Sequence, residues 1–247
     1  MFPHKIDETG HFVVDDVEFR VSMATPDKRP RSEPGKFTIV KGKPMLDIYG
    51  MLSRTYKART ILELGVFQGG SYVLLDKLFG PERMSAVEIA DTPVGALVDY
   101  CAATPGRSVH FKTSQADEAR LKDIVATDLG GALDLVIDDA SHMYDLTRRS
   151  FEILYPLLSP GGIYVIEDWG WSHMAPYQEP GAPWRQRPAL TNFIFDLVAL
   201  HGSTTYIAEI RVLKPLVIVR KPRIDIKTPE NFMSAMKLRG RQLEPSL

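Results

Sequence analysis

Carboxylate side chains close two apolar runs of this 247-residue sequence, residues 134–142 and residues 163–169. Each run ends in two adjacent acidic residues, and a histidine follows the first pair after one short turn. Four carboxylates gathered in one place would repel one another unless a cation lay among them. The five residues that could do chemistry here are Asp138, Asp139, His142, Glu167 and Asp168.

Both runs have the composition of buried parallel strands. Such strands are nearly continuous in Val, Ile and Leu because helices cover both faces of the sheet. Ligands of open α/β sheets bind beyond the carboxyl ends of the strands. If the two strands are neighbours, we expect their acidic ends to converge on one crevice.

A glycine-containing turn, residues 63–71 (ELGVFQGGS), lies between a predicted strand and a predicted helix. Glycines allow the backbone to approach a ligand closely, and the amides at a helix start face it. The dinucleotide fingerprint requires Gly-x-Gly-x-x-Gly, whereas Phe67 stands where its second glycine should be. The turn therefore disfavours a nicotinamide dinucleotide.

Two further acidic residues follow the next strands. Glu88 ends the second predicted strand, where a carboxylate can accept two hydrogen bonds from a ribose diol. Asp117 follows the third, where it could meet an adenine amino group or simply provide negative charge at a helix N-terminus.

Strands and helices alternate from residue 60 onwards, which predicts an α/β fold with a Rossmann-like, doubly wound, mostly parallel sheet. Two runs near the C-terminus, four residues apart, add an antiparallel hairpin. The predicted strands are residues 60–66, 84–89, 108–112, 133–138, 163–167, 203–210 and 215–220. The predicted helices are residues 44–56, 71–79, 93–103, 116–126, 146–158, 189–200 and 229–238.

This pattern divides the chain into three parts. Residues 1–43 form an N-terminal appendage with a hairpin at 11–23 and a proline-rich, basic loop at 25–36. That loop is a solvated linker or an active-site flap. Residues 44–222 form the main domain, and residues 223–247 form a polar C-terminal tail.

A long segment without periodicity, residues 169–188, leaves the proposed crevice and is predicted to be a lid. Its aromatic rings could pack on a sugar ring or anchor the loop, and its arginines could reach an acceptor's oxygens. The residues concerned are Trp169, Trp171, His173, Tyr177, Trp184, Arg185 and Arg187.

The composition excludes several classes of protein. The formal net charge of −1 gives no electrostatic reason to expect nucleic acid as a partner. The one cysteine, Cys101, cannot form an internal disulfide, which predicts a reducing compartment. No apolar run reaches the length of a membrane span and none near Met1 resembles a signal peptide, so we expect a cytoplasmic protein.

Residues 60–169 resemble the class I S-adenosylmethionine-dependent methyltransferases. The signature Glu63-x-Gly65-x-x-x-Gly69 is similar to their methionine-side loop, and Glu88 to their ribose-binding acid. The motif Asp138-Asp-x-x-His142, followed by the pair Glu167-Asp168, resembles the metal-dependent sugar O-methyltransferases of macrolide tailoring and their cephalosporin-hydroxylase-like relatives. Catechol-type relatives carry a lysine where His142 stands, which favours the sugar branch.

The resemblance implies S-adenosylmethionine and Mg²⁺ as cofactors, and homo-oligomeric assembly. Oxygen ligands suit Mg²⁺ better than Zn²⁺. We assign Asp139, Glu167 and Asp168 to the metal, while either residue of the Asp138–Asp139 pair could bind it. The residues assigned to S-adenosylmethionine are Glu63, Gly65, Gln68, Gly69, Ser71, Glu88, Asp117 and Asp138, the last facing the cofactor or supporting the site.

Methyl transfer to a hydroxyl requires alignment of the oxygen with the methyl group and removal of its proton. A neutral imidazole near pH 7 can accept that proton, and His142 is either this catalytic base or a structural residue. The expected activity is Mg²⁺-dependent methylation of a sugar hydroxyl on an oligosaccharide, a polysaccharide precursor or a glycosylated natural product. The alternatives are a catechol-type O-methyltransferase acting on a small phenolic and a non-catalytic nucleotide-binding module.

Overall fold

The computed structural model describes residue 2, residues 4–229 and residues 231–236. The chain divides into two compact units. The first comprises Met1–Ser114 and Ile124–Gly131, and the second comprises Gln115–Asp123 and Ala132–Leu247.

The first unit begins with a three-stranded sheet. Strands β1 (His11–Val14) and β2 (Val17–Val21) form the predicted antiparallel hairpin. The sheet also contains a strand that the sequence pattern did not predict, β3 (Lys36–Ile39), which pairs in parallel with β2. Its four residues are too short for periodicity to distinguish from the end of a loop.

The rest of the first unit has the predicted alternation. Helix α1 (Lys43–Thr55) begins with a proline in its first turn. Strands β4 (Thr60–Leu64), β5 (Arg83–Val87) and β6 (Arg107–His110) then pair in parallel in the order β6-β5-β4. Helices α2 (Gly70–Phe79) and α3 (Gly95–Ala103) connect them. Every residue of β4 is buried, as a parallel strand covered on both faces requires.

Helix α4 (Glu118–Thr127) has residues in both units. The second unit contains β7 (Leu133–Asp138), α5 (Tyr144–Leu154), β8 (Leu158–Glu167), α6 (Leu190–Ser203), β9 (Glu209–Val212) and β10 (Leu216–Arg220). Its strands follow the order β7-β8-β10-β9, in which β7 and β8 are parallel and β10 is antiparallel to both of its neighbours.

The predicted fold class is confirmed, because the seven-stranded sheet is mostly parallel and ends in an antiparallel hairpin. Most elements have bounds that differ from the predicted ones by a few residues, and two differences are larger. Strand β8 begins at Leu158, so the Ser-Pro-Gly-Gly segment that suggested a turn lies inside it. Residue 203 ends α6, and β9 begins only at Glu209.

The C-terminal tail is described in part. A 3₁₀ turn at Phe232–Ala235 occupies the middle of the predicted helix 229–238, of which residues 230, 237 and 238 lie outside the described residues. Among the described residues, no helix has both the length and the apolar character needed to cross a membrane.

The packing of β3 on α2 generates a stability prediction. A Cβ atom at Gly70, the first residue of α2, would overlap the backbone carbonyl of Thr38 in β3. Because the backbone of β3 can move aside only at a high energetic cost, we expect Gly70→Ala to lower the free energy of unfolding by about 3 kcal/mol. Gly95→Ala is the matched control, because Gly95 also begins a helix and has open space around it. Urea unfolding followed by circular dichroism measures both, and equal effects would contradict the packing argument.

Candidate metal centre and cofactor turn

The turn after β4 has a backbone that ordinary residues rarely adopt. Gly65 and Gly69 have φ angles of 84° and 79°, which glycine reaches without strain. Phe67, between them, has a φ of 47° although it carries a side chain. Non-glycine residues in this region cost of order 1 kcal/mol or more and cluster at ligand-binding sites.

The carboxylate of Glu88 holds this turn in place. Its Oε2 atom accepts hydrogen bonds from the backbone N–H groups of Val66 and Phe67, both at 3.0 Å. Its Oε1 atom accepts a third from the N–H of Ala90 at 2.9 Å. A carboxylate offers about four lone-pair positions, so these three bonds leave room for about one further hydrogen bond, such as that from a ribose hydroxyl.

The N-terminal loop contacts the same turn. The N–H of Ser32 donates to Oε1 of Gln68 at 3.0 Å, and the guanidinium of Arg29 lies 5.3 Å from the ring centre of Phe67. These contacts favour the flap over the solvated linker as an interpretation of residues 25–36. Ser71 is half-buried in the first turn of α2, and Glu63 is fully buried in β4.

Asp117 lies at the start of α4 and is exposed. Its Oδ1 atom accepts a hydrogen bond from the N–H of Arg120 at 3.1 Å, which is the geometry of a helix N-cap. Of the two roles considered for Asp117, this contact supports the one at the helix terminus.

Three of the predicted residues in the second unit come together as a possible metal centre. One ligand atom from each of Asp139, His142 and Asp168 lies within 4.8 Å of the others. Nε2 of His142 is 3.8 Å from Oδ1 of Asp139. The fourth predicted residue, Glu167, is buried at the end of β8 and is not one of the three.

The sheet explains this convergence. Asp138 pairs with Ile166 in the parallel register of β7 and β8, so Asp139, directly after β7, and Glu167, the last residue of β8, each lie one residue further along the chain. The backbone then turns sharply after each of the two strands. His142 and Asp168 have φ angles of 54° and 51°, in the left-handed region that favours glycine.

The donor set fits a hard divalent cation. Mg²⁺ binds oxygen ligands at about 2.1 Å, so two ligands on opposite sides of the ion are about 4.2 Å apart. The three atoms of Asp139, His142 and Asp168 are within 4.8 Å of one another, so small side-chain movements would bring them around one ion. Two carboxylates supply hard oxygen donors, and the imidazole supplies either a nitrogen ligand or a base.

Asp138 is buried behind this group and is surrounded by donors. Its Oδ2 atom accepts hydrogen bonds from Ser150 Oγ at 2.6 Å and Tyr164 OH at 2.8 Å, and its Oδ1 atom accepts from Gln115 Nε2 at 3.1 Å. Burial raises the pKa of Asp138 to about 6, while the hydrogen bonds from Ser150, Tyr164 and the Ala140 N–H oppose that rise. Of its two proposed roles, this network supports the structural one.

The aromatic residues of the loop 169–188 pack on one another and on the histidine. The ring centres of Trp171 and His142 are 4.2 Å apart. Tyr177 stacks on Trp171 at 4.8 Å with an interplanar angle of 8°, and Trp184 meets both rings edge-on. Because Tyr177 covers that face of Trp171, the face is not open to a sugar ring, which supports the anchoring role.

The polar side chains at the two ends of this loop have different surroundings. Near its start, Trp169 Nε1 donates to the carbonyl of Leu213 at 2.8 Å. Arg185 and Arg187, near its end, are exposed. The arginines therefore remain candidates for contact with an acceptor.

Sequence reasoning missed the polar residues behind the acidic pair. Tyr164 is a polar aromatic residue within an otherwise apolar strand, and that position was an available signal. Gln115 carried no such signal, because it lies outside any strand or helix and reaches Asp138 only through the fold.

Comparisons with known proteins identify the class of fold. Residues 62–169 match the family model described as "Methyltransferase domain". The solved structure of MycE methyltransferase from the mycinamycin biosynthetic pathway, in complex with Mg, SAH and mycinamycin VI, superposes with a TM-score of 0.57 and 24% identity. The superposition covers 74% of this chain and 51% of that one.

Two curated relatives are similar in sequence over a shorter range. The 8-demethyl-8-alpha-L-rhamnosyl tetracenomycin-C 2'-O-methyltransferase of Streptomyces olivaceus is 32% identical over 49% of this chain and 32% of its own length. The mycinamicin VI 2''-O-methyltransferase of Micromonospora griseorubida is 33% identical over 44% of this chain and 26% of its own length. The matched part of the chain thus spans about a third or less of these relatives.

The raised pKa of Asp138 predicts a pH dependence of stability. The folded protein keeps this proton up to about pH 6, whereas the unfolded chain releases it near the ordinary value of 3.8. Between these values the folded state binds more protons, so the free energy of unfolding should fall as the pH rises, by about 2 to 3 kcal/mol in total.

Urea unfolding of metal-free protein at several values from pH 4 to pH 7 measures how the free energy of unfolding changes with pH. Asp138→Asn has no carboxyl group there and should lack that contribution, whereas the surface control Asp123→Asn should keep it. An Asp138→Asn protein with the wild-type slope would show that another group is responsible.

Proposed function

We propose that this chain, whose residues 62–169 form a methyltransferase domain of the class I fold, transfers a methyl group from S-adenosylmethionine to a sugar hydroxyl with the help of Mg²⁺. The observation that carries the proposal is the group of Asp139, His142 and Asp168 at the ends of β7 and β8. Support comes from relatives that are named as O-methyltransferases, one of them acting on a rhamnosyl tetracenomycin.

The methyl donor is assigned to the first unit. The amides of the Gly65–Gly69 turn would face the methionine part of the donor, and Glu88 would accept a hydrogen bond from its ribose. The three backbone hydrogen bonds to Glu88 hold this carboxylate in one orientation beside the turn. Gln68 and Ser71 complete the proposed contacts at the start of α2, and Glu63 supports the turn from β4.

The acceptor is assigned to the second unit. Asp139, Glu167 and Asp168 would hold Mg²⁺, and the ion would supply Lewis acidity that orients hydroxyl groups and stabilises negative charge on oxygen. His142 would accept the hydroxyl proton at Nε2. The ring of Trp171 contacts His142 and restricts its rotation. The loop 169–188 would exclude water from this end of the site.

The proposed partners are a small-molecule or oligosaccharide acceptor and further copies of the chain. Exposed apolar side chains on α6 (Phe195 and Val198) and on the edge strand β9 (Val212) support self-association, since exposed apolar patches mark interaction sites. Sedimentation velocity is expected to give a mass above that of one chain. A monomer at tens of micromolar would contradict this part of the proposal.

The catalytic roles can be tested by methyl transfer to rhamnosylated and other glycosylated acceptors, followed by mass spectrometry. We expect EDTA to abolish transfer and added Mg²⁺ to restore it. His142→Ala should lower kcat by about 10²- to 10⁴-fold, the usual contribution of a positioned base. Asp139→Asn should raise the Mg²⁺ concentration needed for half-maximal activity.

The controls are His201→Ala and Asp123→Asn. His201 lies near the end of α6, bonded to the carbonyl of Ile207, and Asp123 lies on the surface of α4. Transfer that is indifferent to EDTA, or intact in His142→Ala, would exclude the mechanism. Transfer to a catechol but not to a sugar would favour the catechol-type alternative, and absence of S-adenosylmethionine binding in a calorimetric titration would exclude both enzymes.

A further inference from the structure

The loop between β7 and α5 carries two members of the proposed metal group but has a conformation that needs support. It contains Asp139 and His142 within five residues, and the left-handed backbone of His142 costs of order 1 kcal/mol or more. Such a conformation persists only where the surroundings determine it. The question is which contacts hold this loop.

One side chain connects the loop to the buried interior of the second unit. The Oε1 atom of Gln115 accepts a hydrogen bond at 3.1 Å from the N–H of Ser141, the residue directly before His142. The Nε2 atom of the same carboxamide donates to Asp138 Oδ1 at 3.1 Å and to Ser150 Oγ at 3.3 Å. Gln115 is only 6% exposed, so water does not replace these bonds easily.

The chemistry of its neighbours fixes the orientation of this amide. The Ser141 N–H can only donate, and an ionised Asp138 carboxylate can only accept. A glutamine meets both demands in one orientation, with oxygen toward the loop and nitrogen toward the carboxylate. Methionine has similar length but offers neither bond.

We propose that Gln115 is a positioning residue for the metal centre, which holds the Asp139–His142 loop in the conformation that receives a divalent cation. Gln115 does not touch the metal group itself in this role. It acts through Ser141 on one side and is anchored by Asp138 on the other. The inference deepens the proposed function and rests on its assignment of a metal to this group.

The test measures metal binding directly, without acceptor or methyl donor. Electron paramagnetic resonance titration with MnCl₂ follows the loss of the free-ion signal in wild-type protein and in Gln115→Met. Residues that orient metal ligands typically contribute 10- to 100-fold to metal affinity, so we expect Gln115→Met to raise the Kd for Mn²⁺ by about that factor. Excess MgCl₂ should displace the bound Mn²⁺ from the wild-type protein.

Two control variants separate positioning from general loss of structure. Tyr155→Phe removes a hydrogen bond from a buried tyrosine to the Tyr206 carbonyl, in the same unit but at the opposite end of α5 from the loop. Thr204→Val removes a hydrogen bond from a half-buried hydroxyl to the Leu200 carbonyl, directly after α6. Both should change the Kd for Mn²⁺ by less than about threefold, and thermal unfolding identifies any variant that fails to fold.

The possible outcomes distinguish a failure of the positioning role from a failure of the metal assignment. If wild-type protein binds Mn²⁺ and Gln115→Met binds it equally well, the positioning role is wrong while the proposed function stands. If Thr204→Val or Tyr155→Phe weakens binding as much as Gln115→Met, the effect is general destabilisation and the positioning role is again wrong. If wild-type protein binds no Mn²⁺, the metal assignment fails and this inference fails with it.

Discussion

A buried carboxylate that must be satisfied by hydrogen bonds is the constraint around which the described part of the second unit is organised. Removing a charge from water is unfavourable by several kcal/mol unless polar groups replace the solvent. Asp138 receives such groups from three directions: Gln115 before α4, Ser150 on α5 and Tyr164 on β8. One side chain thus ties together a strand, its neighbouring strand, a helix and a loop. Apolar packing alone would not fix their relative positions as narrowly, because hydrophobic contacts are not directional.

Strained backbone marks both candidate sites. Phe67 lies in the glycine turn, and His142 and Asp168 belong to the metal group, and all three have positive φ angles without being glycine. At two of the three a nearby polar contact offsets the cost: Glu88 accepts a hydrogen bond from the Phe67 N–H, and the N–H of Asp168 donates to the Pro215 carbonyl at 2.9 Å. A glycine would relieve the strain at His142 and Asp168 but would remove the side chain that the proposed chemistry needs. The strain is consistent with selection for function over stability at these positions.

The sequence allowed the prediction of features that depend on local pattern. The apolar runs predicted the buried strands, and the acidic residues at their ends predicted the group containing Asp139 and Asp168. It did not reveal β3, whose pairing with β2 is a long-range contact of a short segment. Nor did it reveal Gln115, since a single glutamine in a loop has no periodicity. The contact between the rings of Trp171 and His142 could not be predicted either, because it depends on how a loop folds back.

The geometry of a strand helps to divide the roles of the two adjacent aspartates, which the sequence left open. Successive side chains of a strand point to opposite sides, so two neighbouring carboxylates at a strand end cannot share one environment. Asp138 points inward and is 2% exposed, whereas the side chain of Asp139 is 24% exposed and lies 3.8 Å from His142. The inward carboxylate has its lone pairs occupied by protein donors, and the outward one lies beside the other candidate ligands. This arrangement favours Asp139 as the metal ligand, with Asp138 and Gln115 as the frame that holds it.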